Sequence, residues 1–132
     1  MAVPGTGWVQ VGGNALDIAV GADGTVYHVG SEGEGKVYMW DGGGGWIDLN
    51  YRLNRPRISA GPDGALWHFG LYGGVFKRSK SGEITDATPG SRDSKHERDI
   101  GVGSDGAVWL THHGSAEGGR RNPLLLIVYC RR

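Results

Sequence analysis

Cysteine is almost missing from this chain: Cys130 stands alone among 132 residues. No disulfide within the chain can staple the fold, so burial and backbone pairing must hold it. Neither charge is in excess, with 14 Lys plus Arg against 14 Asp plus Glu, and a generic nucleic-acid surface needs a basic surplus. Long apolar runs are also lacking. The longest, Leu124 to Tyr129, is far too short to cross a bilayer as a helix. The segment Met1 to Gly7 has neither the basic start nor the apolar stretch of a secretory signal, so the expectation is a cytoplasmic protein with no transmembrane segment. No segment sustains helical periodicity. The signatures of hydrolase elbows, phosphate loops and zinc proteases are absent from the sequence, and Glu83, Asp86 and Glu97 are scattered without an evident pairing. The expectation is therefore a protein that is not an enzyme, with no catalytic residue, cofactor or metal. His112 and His113 do not alter this, because neighbours on a strand face opposite ways and cannot readily share one ion.

What the chain does have is glycine, 26 residues of it, together with five Trp and five Tyr. Glycine with many aromatics signals tight turns between packed strands, whereas disordered chains are aromatic-poor. The glycines also recur in a pattern. Asp-Gly pairs at Asp23, Asp63 and Asp105 are spaced by 40 and 42 residues. Each sits in the same frame: Asp17-Ile-Ala-Val-Gly-Ala-Asp-Gly-Thr-Val-Tyr27, Arg57-Ile-Ser-Ala-Gly-Pro-Asp-Gly-Ala-Leu-Trp67 and Asp99-Ile-Gly-Val-Gly-Ser-Asp-Gly-Ala-Val-Trp109. Alternating residues before the turn predict a strand, Gly-x-Asp-Gly predicts a tight hairpin, and the aliphatic-aromatic pair opens a second strand. Third strands follow at Lys36 to Trp40, Gly74 to Arg78 and Leu126 to Cys130. Further strands are expected at Trp8 to Val11, at Trp46 to Leu49 and, more weakly, at Glu83 to Ala87.

Four short strands per roughly 40 residues is the period of propeller blades. The expected fold is all-β: about three four-stranded blades, half of a six-bladed propeller, with repeats at about 8–45, 46–83 and 84–132. Radial closure takes about four to eight blades, so three blades predict self-association, most simply a homodimer closing a six-bladed ring. The third repeat is the least regular, and its apolar end, Leu124 to Val128, is where a second chain is expected to meet the first.

The run from Trp8 to Tyr27, the segments Val37-Tyr-Met-Trp-Asp-Gly42 and Val75-Phe-Lys-Arg78, and Arg98 to Trp109 resemble the tectonin repeat. The resemblance covers nearly the whole chain. It implies a propeller of the tectonin and tachylectin-like lectins, a family that includes binders of glycans, lipopolysaccharide, lipids and proteins. Two departures stand out: the family usually carries all its blades in one chain, and Asp86 to Glu97 replaces a Trp-bearing strand with a polar stretch. A second resemblance, of Gly61 to Trp67 with Gly82 to Thr85, is to streptogramin lyase-like propellers and covers one repeat only.

The implied function is carbohydrate or glycolipid binding by several equivalent sites, with a protein-interaction module as the alternative and a lyase-like enzyme behind both. The candidate ligand-binding residues are Tyr27, Trp67 and Trp109, which share one repeat position and serve either sugar stacking or inter-blade packing. His28 and His68 follow on the opposite strand face. Trp40 and Trp46 flank the glycine loop Asp41 to Gly45, where loop tips favour binding. Arg78 occupies the repeat position of Trp40 and, with the other basic residues of Lys77 to Lys80, suits phosphate or sulfate groups.

Overall fold

The structure is a computed structural model that describes residues 2–3, 5–31, 35–89, 97–115 and 121–132. Among these there is no helix, hence none long and apolar enough to cross a membrane. A short hairpin, β1 (Ala2–Val3) with β2 (Trp8–Val9), precedes three antiparallel sheets. The first is a four-stranded meander of β3 (Ala15–Val20), β4 (Val26–Gly30), β5 (Lys36–Trp40) and β6 (Trp46–Arg52). The second repeats it with β7 (Ile58–Ala60), β8 (Leu66–Phe69), β9 (Val75–Arg78) and β10 (Ile84–Asp86). The third has β11 (Glu97–Val102), β12 (Val108–Ser115) and β13 (Arg121–Arg131). Among the described residues no sheet closes on itself.

The all-β expectation holds, and the strand phase is informative. The Trp46 strand bonds to β5, with Trp40 paired to Trp46, and so forms the outer edge of the first sheet. Trp8 lies instead in the N-terminal hairpin, paired with Val3. The weak strand expected at Glu83 to Ala87 forms as β10 and pairs with β9. Within the polar stretch Asp86 to Glu97, residues 90–96 lie outside the described residues.

The three Asp-Gly turns are built alike. In each, the first glycine's N–H donates to the carbonyl four residues on, and the second glycine's N–H donates back: Gly21 with Thr25 and Gly24, Gly61 with Ala65 and Gly64, Gly103 with Ala107 and Gly106. Gly24, Gly64 and Gly106 take φ of 89°, 78° and 84°, a region costly for residues with a Cβ. The aspartate of each turn accepts the N–H two residues on, from Thr25, Ala65 or Ala107. That is turn chemistry, the role expected of these carboxylates.

Residues paired across neighbouring strands share a face, and the registers give every sheet two distinct faces. The forward face of the first sheet carries Ala19, Tyr27 and Met39 in one row and Asp17, Val29 and Val37 in another. It packs on Ile58, Ala60 and Leu66 from the back face of the second sheet. The second sheet's forward face, with Trp67, Phe69 and Val75, packs in turn on Ile100, Val108 and Leu110 from the back face of the third. Burying each large aliphatic or aromatic side chain contributes about 1.5–3 kcal/mol, so these two seams hold the fold together. The first strand of each sheet runs beside its successor, β3 by β7 and β7 by β11. Their turn ends border one hollow of about 220 Å3 lined by Val20, Gly21, Ala22, Ala60, Val102, Gly103 and Ser104.

Backbone contacts across the seams are close. A Cβ on Gly21 would sit 2.7 Å from the carbonyl oxygen of Gly61. Asp17 lends one carboxylate oxygen to its neighbour Ile18 N–H (2.9 Å) and the other to Ile58 N–H in the second sheet (3.0 Å). At the next seam, Ser59 Oγ accepts the Val102 N–H at 3.0 Å. Glu97 is buried there, where it accepts the Gly74 N–H at 2.8 Å and pairs with Arg55 at 2.9 Å. The Arg55 guanidinium also lies over the Phe69 ring, 5.0 Å from its centroid.

Candidate functional site

Two of the aromatic candidates are in the seams. Tyr27 is 0% exposed and donates its hydroxyl to the Gly64 carbonyl, while Trp67 is 5% exposed under Lys77 and Arg131. Tyr27 is closed in by packing, whereas Trp67 also borders a hollow of about 280 Å3 that it shares with Val75, Thr88, Val108 and Arg131. Their repeat equivalent Trp109 is 46% exposed. The difference is positional: Tyr27 and Trp67 each meet a following sheet, and Trp109 lies on the forward face of the third.

The other candidates divide into two clusters at equivalent places. On the back face of the first sheet, His28 stacks on Tyr38 (4.9 Å between centroids) and meets Trp46 edge-on (4.2 Å). Trp40 meets Trp46 at 5.0 Å. The Asp41 to Gly45 loop beneath them is not loose. Asp41 accepts the N–H groups of Gly43 (2.7 Å) and Gly45 (3.0 Å), which hold its carboxyl below the usual carboxylate range. Trp46 is further tied by its indole N–H to the Gly12 carbonyl at 2.7 Å.

The second cluster occupies a groove between the first and second sheets. Tyr51 reaches from β6 to His68 on β8, oxygen to Nε2 at 2.8 Å, while His68 Nδ1 lies 3.2 Å from the Phe69 carbonyl. A carbonyl only accepts, so Nδ1 carries the proton, and the Tyr51 hydroxyl donates to Nε2. Burial, reinforced by the nearby Arg78 charge, lowers the His68 pKa; burial likewise lowers that of His28. Phe76 stacks on His68 at 6.0 Å, and Arg78 lies over the Tyr51 ring at 5.2 Å. The groove, about 250 Å3, is bordered also by Arg52, Asn54, Leu71 and Ile84.

The structure thus brings together Trp40, Trp46 and His28 in one cluster and His68 with Arg78 in the other. Both histidines are buried; His68 holds the Tyr51 hydroxyl, and His28 meets Tyr38 and Trp46 through its ring. Sequence reading missed Tyr51, Tyr38 and Phe76. The last two carried a signal, because an aromatic follows valine at the same place in each repeat, as in Val37-Tyr38, Val75-Phe76 and Val128-Tyr129. Tyr51 carried none, since its counterpart after the Trp8 strand is Gly13. Among the described residues no group of three potential ligands is placed to hold a metal ion. The side chain of His113 lies outside the described residues, and His112 is buried. The chain matches no model of a known protein family and no curated protein.

Proposed function

We propose that the chain is a tectonin-like half-propeller, three blades that associate with three more, and that it binds a glycan or glycolipid in the grooves between neighbouring blades. The observation that carries the ligand reading is the groove between the first and second sheets, lined by Tyr51, Asn54, His68 and Phe76, with the Arg78 guanidinium over the Tyr51 ring. Rings that stack on apolar sugar faces beside amide and guanidinium donors are the ordinary chemistry of such sites. Trp40 holds the Arg78 position in the first repeat and widens the set of stacking surfaces. The blade reading is supported by three sheets stacked forward face to back face, with their first strands side by side. Repeated shallow grooves suit multivalent binding, in which avidity replaces a deep pocket.

A glycan array that includes lipopolysaccharide tests this. Binding is expected, and Trp40→Ala or Arg78→Ala lowers it at least about tenfold with melting unchanged, the scale of a lost stacking or charged contact. An array without binders contradicts the glycan reading. The second reading, a protein-interaction scaffold, is favoured by the exposed apolar residues Leu16, Ile18, Val20 and Trp109, and it predicts a defined protein partner with no glycan dependence.

A further inference from the structure

Two open sheet faces remain after the seams are made. The back face of the first sheet exposes Leu16, Ile18 and Val20 along β3, with Ile18 57% accessible. The forward face of the third exposes Trp109 and Val128 around a hollow of about 250 Å3 that is also lined by Asp99, Gly101 and Thr111. These faces are not alike, and they correspond to the two halves of the internal seams. Ile18, Val20 and Val26 hold the repeat positions of Ile58, Ala60 and Leu66, which cover Tyr27, and of Ile100, Val102 and Val108, which cover Trp67. Trp109 holds the position of Tyr27 and Trp67.

We infer that the forward face of the third sheet receives the back face of the first sheet of a second copy, and that the reciprocal joint closes a two-fold ring of six sheets. This rests on the blade reading proposed above and names the partner, the joint and its polarity. Trp109 would then be covered by Ile18, Val20 and Val26 of the second copy as Trp67 is covered within the chain. Asp99 adds a polar match. It binds its neighbour's Ile100 N–H at 2.9 Å as Asp17 binds that of Ile18. Asp17 spends its second oxygen on the β7 backbone across the seam; Asp99 offers its own second oxygen to β3 of the other copy. Gly101, with nothing within 4 Å of where a Cβ would stand, leaves the room a β-branched residue of β3 needs. Of the apolar end Leu124 to Val128, Val128 lies on this forward face, while the side chains of 124–127 are outside the described residues.

Because the two faces differ, each joint is head-to-tail, and the two halves of the joint can be broken separately. Sedimentation equilibrium is expected to give a dimer, weakened about 100-fold or more in Ile18→Asp and likewise in Trp109→Asp, since either buries an unpaired carboxylate at the joint. Both positions are exposed within the chain, and unchanged circular dichroism checks that the fold persists. Mixing the two variants restores one intact joint, so a mixed pair forms where each variant alone does not. Alkylation of Cys130, which is paired with Trp109 and exposed, slows in the wild-type chain as concentration rises through the dimer range. A monomeric wild type, a Trp109→Asp chain that dimerises normally, or a Cys130 rate independent of concentration overturns the inference. Glycan binding by a monomer would remove this joint and leave the ligand reading standing; a dimer blind to glycans would do the reverse.

Discussion

The Tyr27 hydroxyl donates to the Gly64 carbonyl at 2.5 Å, a buried bond that pins the first sheet to the Asp-Gly turn of the second. One residue thus joins burial to backbone satisfaction at the seam. Burial also pushes the Tyr27 pKa up, so the phenol stays a donor well into alkaline solution. Tyr27→Phe keeps the ring and strands the carbonyl. The expected loss is about 1–2 kcal/mol, read as a lower urea midpoint with an unchanged slope.

Gly64 and Gly24 separate backbone strain from crowding. Both have positive φ, yet a Cβ on Gly24 meets nothing within 4 Å, while one on Gly64 would stand 2.5 Å from Lys80 Cδ and 2.8 Å from Thr25 Oγ1. Gly24→Ala is expected to cost about 1 kcal/mol, the backbone penalty alone. Gly64→Ala should cost more, and the comparison of melting curves checks the order.

The Arg55–Glu97 pair predicts the most damaging polar substitution. Glu97 has a side chain only 3% exposed, and its carboxylate binds both Arg55 and the Gly74 N–H. Arg55→Ala takes a charged partner away from that buried carboxylate, at a cost of about 3 kcal/mol. Arg55→Lys keeps the charge but not the forked donors, and should recover only part of this. Urea unfolding of the two variants decides it.

Stability should fall as solutions become mildly acidic. His28 and His68 have folded pKa values lowered by burial, so the unfolded chain binds protons more readily. Their contribution is complete above the unfolded value of about 6.5 and is lost as pH drops from there toward the folded values. The slope reaches at most about 1.4 kcal/mol per pH unit for each histidine. His68→Gln should flatten the dependence between pH 7 and 5. The aspartates act in a lower window. Thr25 hydrogen bonds hold the Asp23 carboxyl down, and Lys77 does the same for Asp63; what they add is lost only below the ordinary carboxylate pKa.

Strands and turns were legible in the sequence because local chemistry decides them. Gly-x-Asp-Gly can close only a tight hairpin, and the residues around it alternate as strands do. The division of labour among the aromatics was not legible. Tyr27, Trp67 and Trp109 share one repeat position, yet their exposure depends on whether another sheet follows, which no local pattern records. The phase of the Trp46 strand was hidden for a similar reason: a strand between two units can bond to either, and β5 takes it. Tyr51 has Gly13 as its counterpart, so no recurring aromatic marks it, and it joins the groove only through the packing of two sheets.

The proposed six-sheet ring needs the forward-to-back stacking seen within the chain to continue into a second copy. Light scattering of the wild-type chain at micromolar concentration tests this most directly. The expected mass is twice the 14.0 kDa of the chain; a stable species of 14.0 kDa would rule the two-fold ring out.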